Sequence, residues 1–376
     1  MSAAPIPADS TIFGSREYLD ISRALGELQA RRPVRISAPD ESLIVLPVEA
    51  LDDQRLHEFT ILCSSAILKL IITQQRARAI GLETSVPVAL SLPRTVDASG
   101  IFKLAAGSKN HFNAEFEAAS VAARAAIRLV KLIRCLPAVL AARATATESD
   151  ITQTVLTVGA DAVSRFSTNA TSMLPVTSEA SVPLASGASA RFVVFRDTLG
   201  IDQVAIIVGK PDHSKPVPVR LHSACLTGDV FGSRRCDCGD QLQLAIARLE
   251  GLGGGVILYL AQEGRGIGLA NKMRAYRLQD GGLDTRDANT TLGFEDDERD
   301  YGIAALMLRT LNCTRIMLLT NNPAKLDGLT EAGIDISARV PLEVPITPHN
   351  KRYLTTKAVR SGHKLATHKA SSKETS

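Results

Sequence analysis

Half of the six cysteines in this chain fall in one short run, Arg220-Leu-His-Ser-Ala-Cys225-Leu-Thr-Gly-Asp-Val-Phe-Gly-Ser-Arg-Arg-Cys236-Asp-Cys238-Gly. A fold that accepts this run has to turn the chain so that Cys225, Cys236 and Cys238 meet. Two thiols split by one residue, with a third upstream and none downstream, suit a zinc ion held by three protein ligands. Structural zinc takes four protein ligands, whereas catalytic zinc keeps one position for water. The missing fourth cysteine therefore points toward hydrolysis. On spacing alone a closed site remains the alternative, completed by Cys313 or His222. A redox pair fits less well, because thioredoxin-like pairs have two residues between the sulfurs.

Bulk properties narrow the class. A chain of 376 residues has material for two or more domains. Its 45% hydrophobic and 22% charged content is that of a soluble globular protein. The net charge is only +4, and aromatics are 4% with no Trp, which argues against nucleic-acid partners. Residues 1–10 lack the basic start and apolar core of a secretory signal. The apolar stretch from Ala118 to Ala142 is interrupted by four basic residues and Pro137, so no membrane span is expected. Clustered cysteines in a long chain suit metal binding in a reducing cytoplasm better than a disulfide framework. Cys63, Cys135 and Cys313 lie in apolar sequence and read as buried thiols.

The hydrophobic pattern gives an α/β chain. In the first half Leu43–Pro47 and Val86–Leu92 read as strands, and Ala118–Ile133 as a helix. Ser164–Ser189 is rich in Ser, Thr, Ala and Pro and reads as a linker running into the first strand of a new domain. Strands follow at Arg191–Phe195, Gln203–Val208, Val256–Ala261 and Arg315–Thr320. Helices are expected over Asp240–Leu252, stopped by Gly253-Gly254-Gly255, and over Leu269–Gln279, Glu298–Leu311 and Pro323–Ala332. Alternating strands and helices imply a sheet covered by helices. Domain boundaries are expected at 1–172, including the linker, and 173–365, with a disordered tail over 366–376.

Three further motifs can carry chemistry. Gln262-Glu-Gly-Arg-Gly-Ile-Gly268 follows a buried strand, where ligands bind in open α/β sheets. Its glycines let backbone N–H groups approach a phosphate and Arg265 adds a charged fork; the plainer reading is a tight turn. Phe294-Glu-Asp-Asp-Glu-Arg-Asp-Tyr301 opens an expected helix, so its carboxylates either complement the helix dipole or supply a general base at Asp297 beside Arg299. Leu319-Thr-Asn-Asn-Pro-Ala-Lys325 runs from strand to helix, where Thr320 and Lys325 suit an anion.

Taken together, these blocks resemble GTP cyclohydrolase II, the first enzyme of riboflavin biosynthesis. The resemblance runs from about Ser181 to Leu365 and is sharpest over 220–239, 262–280 and 292–300. It implies zinc on Cys225, Cys236 and Cys238. It implies GTP contacts from Arg220, Leu221, His222, Ser223 and Ala224, and from Gln241, Glu263, Gly264, Arg265, Thr285, Thr320 and Lys325. Catalytic roles fall to Asp297 and Arg299, with Tyr276 lining the site. The implied reaction turns GTP into 2,5-diamino-6-hydroxy-4-(5-phosphoribosylamino)pyrimidine, formate and pyrophosphate, with magnesium on the triphosphate and a homodimeric enzyme. Zinc lowers the pKa of bound water to about 7, which suits attack on the imidazole ring. The family mechanism makes Arg299 a nucleophile on the α-phosphorus. A guanidinium stays protonated, so stabilising transition-state charge is an equal alternative.

One residue departs from the family. Better-known members carry Glu directly before the first zinc cysteine, where this chain has Ala224. Related proteins act on uracil nucleotides, so a UTP cyclohydrolase is the alternative, followed by a non-catalytic nucleotide-binding regulator. The N-terminal half occupies the place of a 3,4-dihydroxy-2-butanone 4-phosphate synthase domain, and Arg32–Leu46 resembles that domain's opening strand. Its acidic magnesium loop is reduced to Asp40 and Glu41. The expectation is a degenerate domain without synthase activity and with a structural or regulatory role.

Overall fold

A computed structural model describes residues 15–64, 67–108, 115–144, 154–169, 174–187 and 189–343. The expected tail over 366–376 lies outside them. The chain forms two compact units, Met1–Asn169 with Ala270–Glu298, and Ala170–Leu269 with Arg299–Ser376. The α/β class expected from the sequence holds, with one seven-stranded sheet in each.

The first unit opens with helix α1 (Arg16–Gln29), capped by Ser15, whose hydroxyl accepts from the Tyr18 N–H. Strands β1 (Val34–Ala38) and β2 (Glu41–Pro47) follow as an antiparallel pair. The single opening strand expected over Arg32–Leu46 is thus a hairpin, because Pro39 and Asp40 sit in its turn. Next come α2 (Asp53–Leu62), β3 (Lys69–Ile72), α3 (Gln74–Ala79), β4 (Val88–Ser91), α4 (Ala98–Ala106), β5 (Phe116–Ala118), α5 (Val121–Leu132), β6 (Ala138–Arg143), β7 (Thr157–Gly159) and α6 (Ala160–Asn169). The sheet order is β5-β4-β3-β6-β2-β1-β7, antiparallel except for β1 with β7. Ile44, Leu70, Ile72, Leu90 and Leu140 from four of these strands close one core.

The second unit contains β8 (Val176–Pro183), β9 (Ser189–Arg196), β10 (Asp202–Gly209), β11 (Val217–Ser223), α7 (Cys238–Gly251) and β12 (Gly254–Leu260). The expected linker over Ser164–Ser189 is therefore largely regular: helix α6 runs to Asn169 and β8 pairs with β9. Edge pairing supplies the order that composition argued against. Helices α8 (Leu269–Asp280) and α9 (Thr285–Thr291) come next in the chain, then α10 (Gly302–Thr310), β13 (Arg315–Leu319), α11 (Pro323–Glu331) and β14 (Asp335–Val340). The sequence reading missed α9, which starts where the Asp284 carboxylate accepts from the Arg286 and Asp287 N–H groups.

In the second sheet the order is β14-β13-β11-β12-β10-β9-β8. Strands β12, β11, β13 and β14 run parallel, and β10, β9 and β8 continue antiparallel. Both faces are covered, as the period-two alternation requires. Val256, Leu258 and Leu260 join Met307, Leu308 and Leu329 on one face, while Ile257 joins Ala245 and Leu249 of α7 on the other. Leu252, expected on that α7 face, is 45% exposed, since the helix has ended.

Two sequence expectations need correction. Residues 294–301 do not open a helix; α10 starts at Gly302, whose N–H is taken by the Asp300 carboxylate at 2.7 Å. Asp300 thus caps the helix from outside it, as the plainer reading expects, whereas Asp296 and Glu298 pair with Arg286 and Lys131. Cys135 is not in apolar surroundings: burial first, then the adjacent Glu49 carboxylate, push its thiol up to about 12. Cys63 and Cys313 are buried as expected.

Phe195 is fully buried in the second unit's core, whereas Val176 lies exposed on its edge strand. Phe195→Ala should cost about 3–5 kcal/mol and Val176→Ala should stay within about 0.5 kcal/mol. Urea unfolding of both variants checks this, and equal midpoints would remove Phe195 from the core.

Candidate functional site

The loops that follow three parallel neighbours, β13, β11 and β12, emerge at the same edge of the second sheet. This brings together three motifs that are about 40 and 60 residues apart in the chain. The β11 end leads into the cysteine run, the β12 end into Gln262–Gly268, and the β13 end into Thr320–Lys325.

The cysteine run is folded by a rare element. After Cys225 the chain makes a five-residue π turn, Leu226–Val230, a geometry that recurs at functional sites. It folds back so that one sulfur from each of Cys225, Cys236 and Cys238 lies within 4.8 Å of the others. The Cys225 and Cys236 sulfurs are 3.7 Å apart. Two sulfurs bound at about 2.3 Å to a tetrahedral zinc are roughly 3.8 Å apart, so the spacing fits. Gly228 makes room for them. A Cβ there would stand 2.8 Å from the Cys236 sulfur and 3.0 Å from that of Cys225. Cys238 begins α7, where the helix dipole favours a thiolate. The Cys236 thiol is pushed up, first by its hydrogen bond with Cys225. A divalent cation reverses that, because a coordinating thiol is deprotonated outright. Neither His222 nor Cys313 joins the cluster among the described residues. Both alternatives for a fourth ligand are engaged elsewhere: His222 faces Asp229, and Cys313 lies by His213 and the Leu311 carbonyl.

The sequence reading missed the residue that braces this loop. Asp229, four positions after Cys225, accepts from the Cys225 N–H at 2.9 Å and the Tyr259 hydroxyl at 2.8 Å. His222 Nε2 lies 3.1 Å from both its oxygens, so Nε2 carries the proton. Burial chiefly, against the pull of Asp229, holds His222 below the usual imidazole range. Burial and then Asp229 raise Tyr259. The only sequence signal was an acid inside the cysteine run.

Glu263 braces the same loop from β12. Its carboxylate accepts from the Leu226 N–H at 2.7 Å. Beyond it, Gly264, Arg265, Gly266 and Gly268 all have φ between +65° and +94°. Glycine accepts this region readily; Arg265 holds it at a cost that tends to accompany functional loops. The loop is a tight turn: the Gly266 N–H goes to the Gln262 and Glu263 carbonyls at 3.1 Å, that of Gly268 to the Glu263 carbonyl at 2.9 Å, and that of Gly264 to the Glu263 carboxylate at 3.2 Å.

Arg220 is buried on β11. Its guanidinium donates to the Leu319 carbonyl at 3.0 Å and to Gln241 Oε1 at 2.6 Å. Burial chiefly lowers it to about 10, with Asp237 and Cys238 opposing and Arg299 adding to the fall. Three buried polar atoms of this region, Arg220 Nε, His222 Nδ1 and Gln262 Oε1, meet no hydrogen-bond partner. Such orphans are costly unless a ligand or water completes them. Leu221 and Ser223 lie on the same strand, and Ala224 donates its N–H to the Leu260 carbonyl.

Thr320 and Lys325 occupy the β13 end, but not as a bare anion site. The Thr320 hydroxyl accepts from the Asn322 N–H at 3.0 Å, and Asn322 caps α11. The Lys325 ammonium donates to the Leu221 carbonyl at 2.6 Å. Arg299 belongs to the second unit as well, with its guanidinium carbon 5.7 Å from the centre of the Tyr301 ring. The neighbouring carboxylates hold other cations: Asp296 pairs with Arg286 and Glu298 with Lys131, both at 2.6 Å.

The remaining expected residues lie on the Ala270–Glu298 segment of the first unit. Tyr276 is on α8, with the Lys272 ammonium 5.6 Å from its ring centre. Thr285 is the first residue of α9, and Asp297 is half-buried in the irregular stretch after it. No described helix is long and apolar enough to cross a membrane.

Comparison with known proteins agrees with this geometry. The family model for GTP cyclohydrolase II matches residues 175–341. A GTP cyclohydrolase-2 of Xylella fastidiosa is 40% identical over 358 residues, covering 94% of this chain and 89% of its own. That of Azospirillum brasilense is 41% identical, covering 91% and 93%. The riboflavin biosynthesis protein RibBA of Parabacteroides distasonis is 50% identical over 176 residues, 46% of this chain. The two GTP cyclohydrolase-2 relatives match over more than nine-tenths of this chain and so across both halves. This chain belongs to the GTP cyclohydrolase II family.

Proposed function

We propose that the chain hydrolyses GTP as the first step of riboflavin biosynthesis, releasing formate from the imidazole ring and pyrophosphate from the triphosphate. The observation that carries this reading is the three-sulfur cluster with Gly228 beneath it, at the sheet edge where two further motif loops emerge. Cys225, Cys236 and Cys238 would hold zinc. When bound, zinc supplies a Lewis acid able to activate water at neutral pH.

The chain's own residues account for the rest. Arg220 keeps a buried Nε available for a phosphate oxygen while Leu319 and Gln241 fix its plane. The Arg265 fork suits the triphosphate, and Gly264 would reach it by exchanging its N–H bond to the Glu263 carboxylate. Lys325 reaches phosphate by exchanging its bond to the Leu221 carbonyl, and Thr320 contributes its hydroxyl. His222, Ser223 and Ala224 serve the nucleotide from the strand end, with Thr285. Glu263 contributes by holding the metal loop at Leu226. Asp297 moves protons and Tyr276 lines the site. Arg299 stabilises charge building on the α-phosphate; a guanidinium that stays protonated does this without acting as a nucleophile.

Magnesium accompanies the triphosphate, and the enzyme works as a cytoplasmic homodimer. All six cysteines are unpaired by disulfides, which suits a reducing compartment. The catalytic part spans 173–365. Residues 1–172 are a degenerate synthase-like domain: Asp40 stands exposed in a hairpin turn, and it and Glu41 are the remnant of an acidic loop.

Protein loaded with zinc and magnesium should release formate from GTP and none of the ring-opened product from UTP; turnover of UTP alone would move the assignment to a uracil nucleotide. Ribulose 5-phosphate should yield no butanone phosphate. Gly228→Ala should lower bound zinc well below the wild-type ratio in elemental analysis, because the added carbon occupies the sulfur cradle. Full zinc retention by that variant would remove the cradle from the argument. Arg299→Lys keeps charge but loses the planar fork. Pyrophosphate release should fall by roughly 10²–10³; a rate near wild type would leave the guanidinium without a special role.

A further inference from the structure

The side chain of Arg76 is almost wholly buried and has no carboxylate among its hydrogen-bond partners. It donates instead to four backbone carbonyls. Nε reaches Leu104 at 2.6 Å, Nη2 reaches Lys103 at 2.9 Å, and Nη1 reaches both Gly107 and Thr291 at 2.8 Å. Lys103 and Leu104 are in the last turn of α4, Gly107 is its C-cap, and Thr291 is the last residue of α9. The negative ends of two helix dipoles thus converge on one guanidinium, which meets the Leu104, Gly107 and Thr291 carbonyls and shares that of Lys103 with the Gly107 N–H at 2.9 Å. Burial lowers Arg76 to about 10, still charged at neutral pH.

Arg76 is one of several ties along the same segment, all within the first unit. The Thr73 hydroxyl, at the start of α3, donates to the Gly293 carbonyl at 2.7 Å. Gly293 has φ +91°, and a Cβ there would stand 2.8 Å from the Thr73 hydroxyl and 3.2 Å from Arg76 Cβ. Glu49 pairs with Arg274 at 2.9 Å, Asn271 donates to the Arg134 carbonyl at 2.9 Å, and Lys131 pairs with Glu298 at 2.6 Å. The N-terminal half therefore grips residues 271–298 from end to end. That segment lies inside the span matched by the cyclohydrolase family model and carries Tyr276, Thr285 and Asp297.

We infer that Arg76 is a positioning residue for the cyclohydrolase reaction: by joining the ends of α4 and α9 it fixes the segment that carries Thr285 and Asp297. The N-terminal domain, on this account, acts as a jig for part of the catalytic machinery. The inference rests on the functional reading above for the roles of those two residues.

The test uses the full chain. Arg76→Lys keeps a cation but cannot supply a planar fork to four carbonyls. Its kcat for formate release should fall on the order of tenfold to a hundredfold, as misplaced groups typically cost. Zinc content should stay near wild type, because Arg76 bonds to none of the three cysteines, and KM for GTP should rise by less than kcat falls, because Thr285 is one of many proposed contacts to the nucleotide. Hydrogen exchange over 285–298 should accelerate. Thr73→Val, which removes the bond to Gly293, should shift kcat and exchange in the same directions by less, and it carries the test if the Arg76 variant does not fold. Arg78→Lys, on the same helix, should leave all readouts unchanged.

Unchanged kcat and unchanged exchange in the Arg76 or Thr73 variants would overturn the inference. So would faster exchange at an unchanged kcat, which makes the bonds merely structural, or a rise in KM with loss of zinc. A wild-type protein that releases no formate from GTP overturns the functional reading itself, and the exchange result would then still say whether Arg76 fixes the segment.

Discussion

Parallel pairing of β11 with both β12 and β13 is the constraint on which the second unit's chemistry depends. Each parallel strand must leave the sheet at the same edge and return by a crossover, so its loop is delivered to a shared place. The π turn after Cys225 then reverses the chain tightly enough to gather three sulfurs, and this works because residue 228 has no Cβ. Asp229 and Glu263 pin the loop's backbone at Cys225 and Leu226. Without the common edge, the phosphate-type loops and the sulfurs would be three unrelated turns.

Three buried cations share one kind of compensation. Arg76, Arg220 and Lys325 are each withdrawn from water, and each is compensated by backbone carbonyls, with Gln241 as Arg220's additional partner. Buried cations without such compensation are strongly unfavourable. Carbonyls compensate without neutralising, so the positive charge persists. At Arg220 and Lys325 that charge lies beside the strand ends proposed for a triphosphate. At Arg76 it binds two helix ends.

Several features were legible in sequence because they are local. The cysteine spacing named the three sulfurs that meet. Hydrophobic alternation located β9, β10, β12 and β13 to within a few residues but not β11, and Pro323 marked the start of α11. Other features failed for equally local reasons. Asp300 takes the Gly302 N–H and so starts α10 later than the charge pattern suggested. Strand β8 was hidden in a Ser- and Thr-rich stretch because an edge strand needs little apolar content on its outer side.

The sequence by itself determined the chemical inventory: three clustered thiols, glycines where φ must be positive, and the acid–Arg pair that marks a family. Those are properties of residue type and spacing, which short-range geometry preserves. Only the tertiary structure decided which groups are spent on architecture. Glu263 and Arg76 bond to backbone atoms far away in the chain, 37 positions for Leu226 and 215 for Thr291, and Asp229 adds the Tyr259 hydroxyl, 30 positions on, to its local bond at Cys225. No periodicity or motif encodes such contacts, because they exist only once sheet order has fixed which strand and helix ends are neighbours.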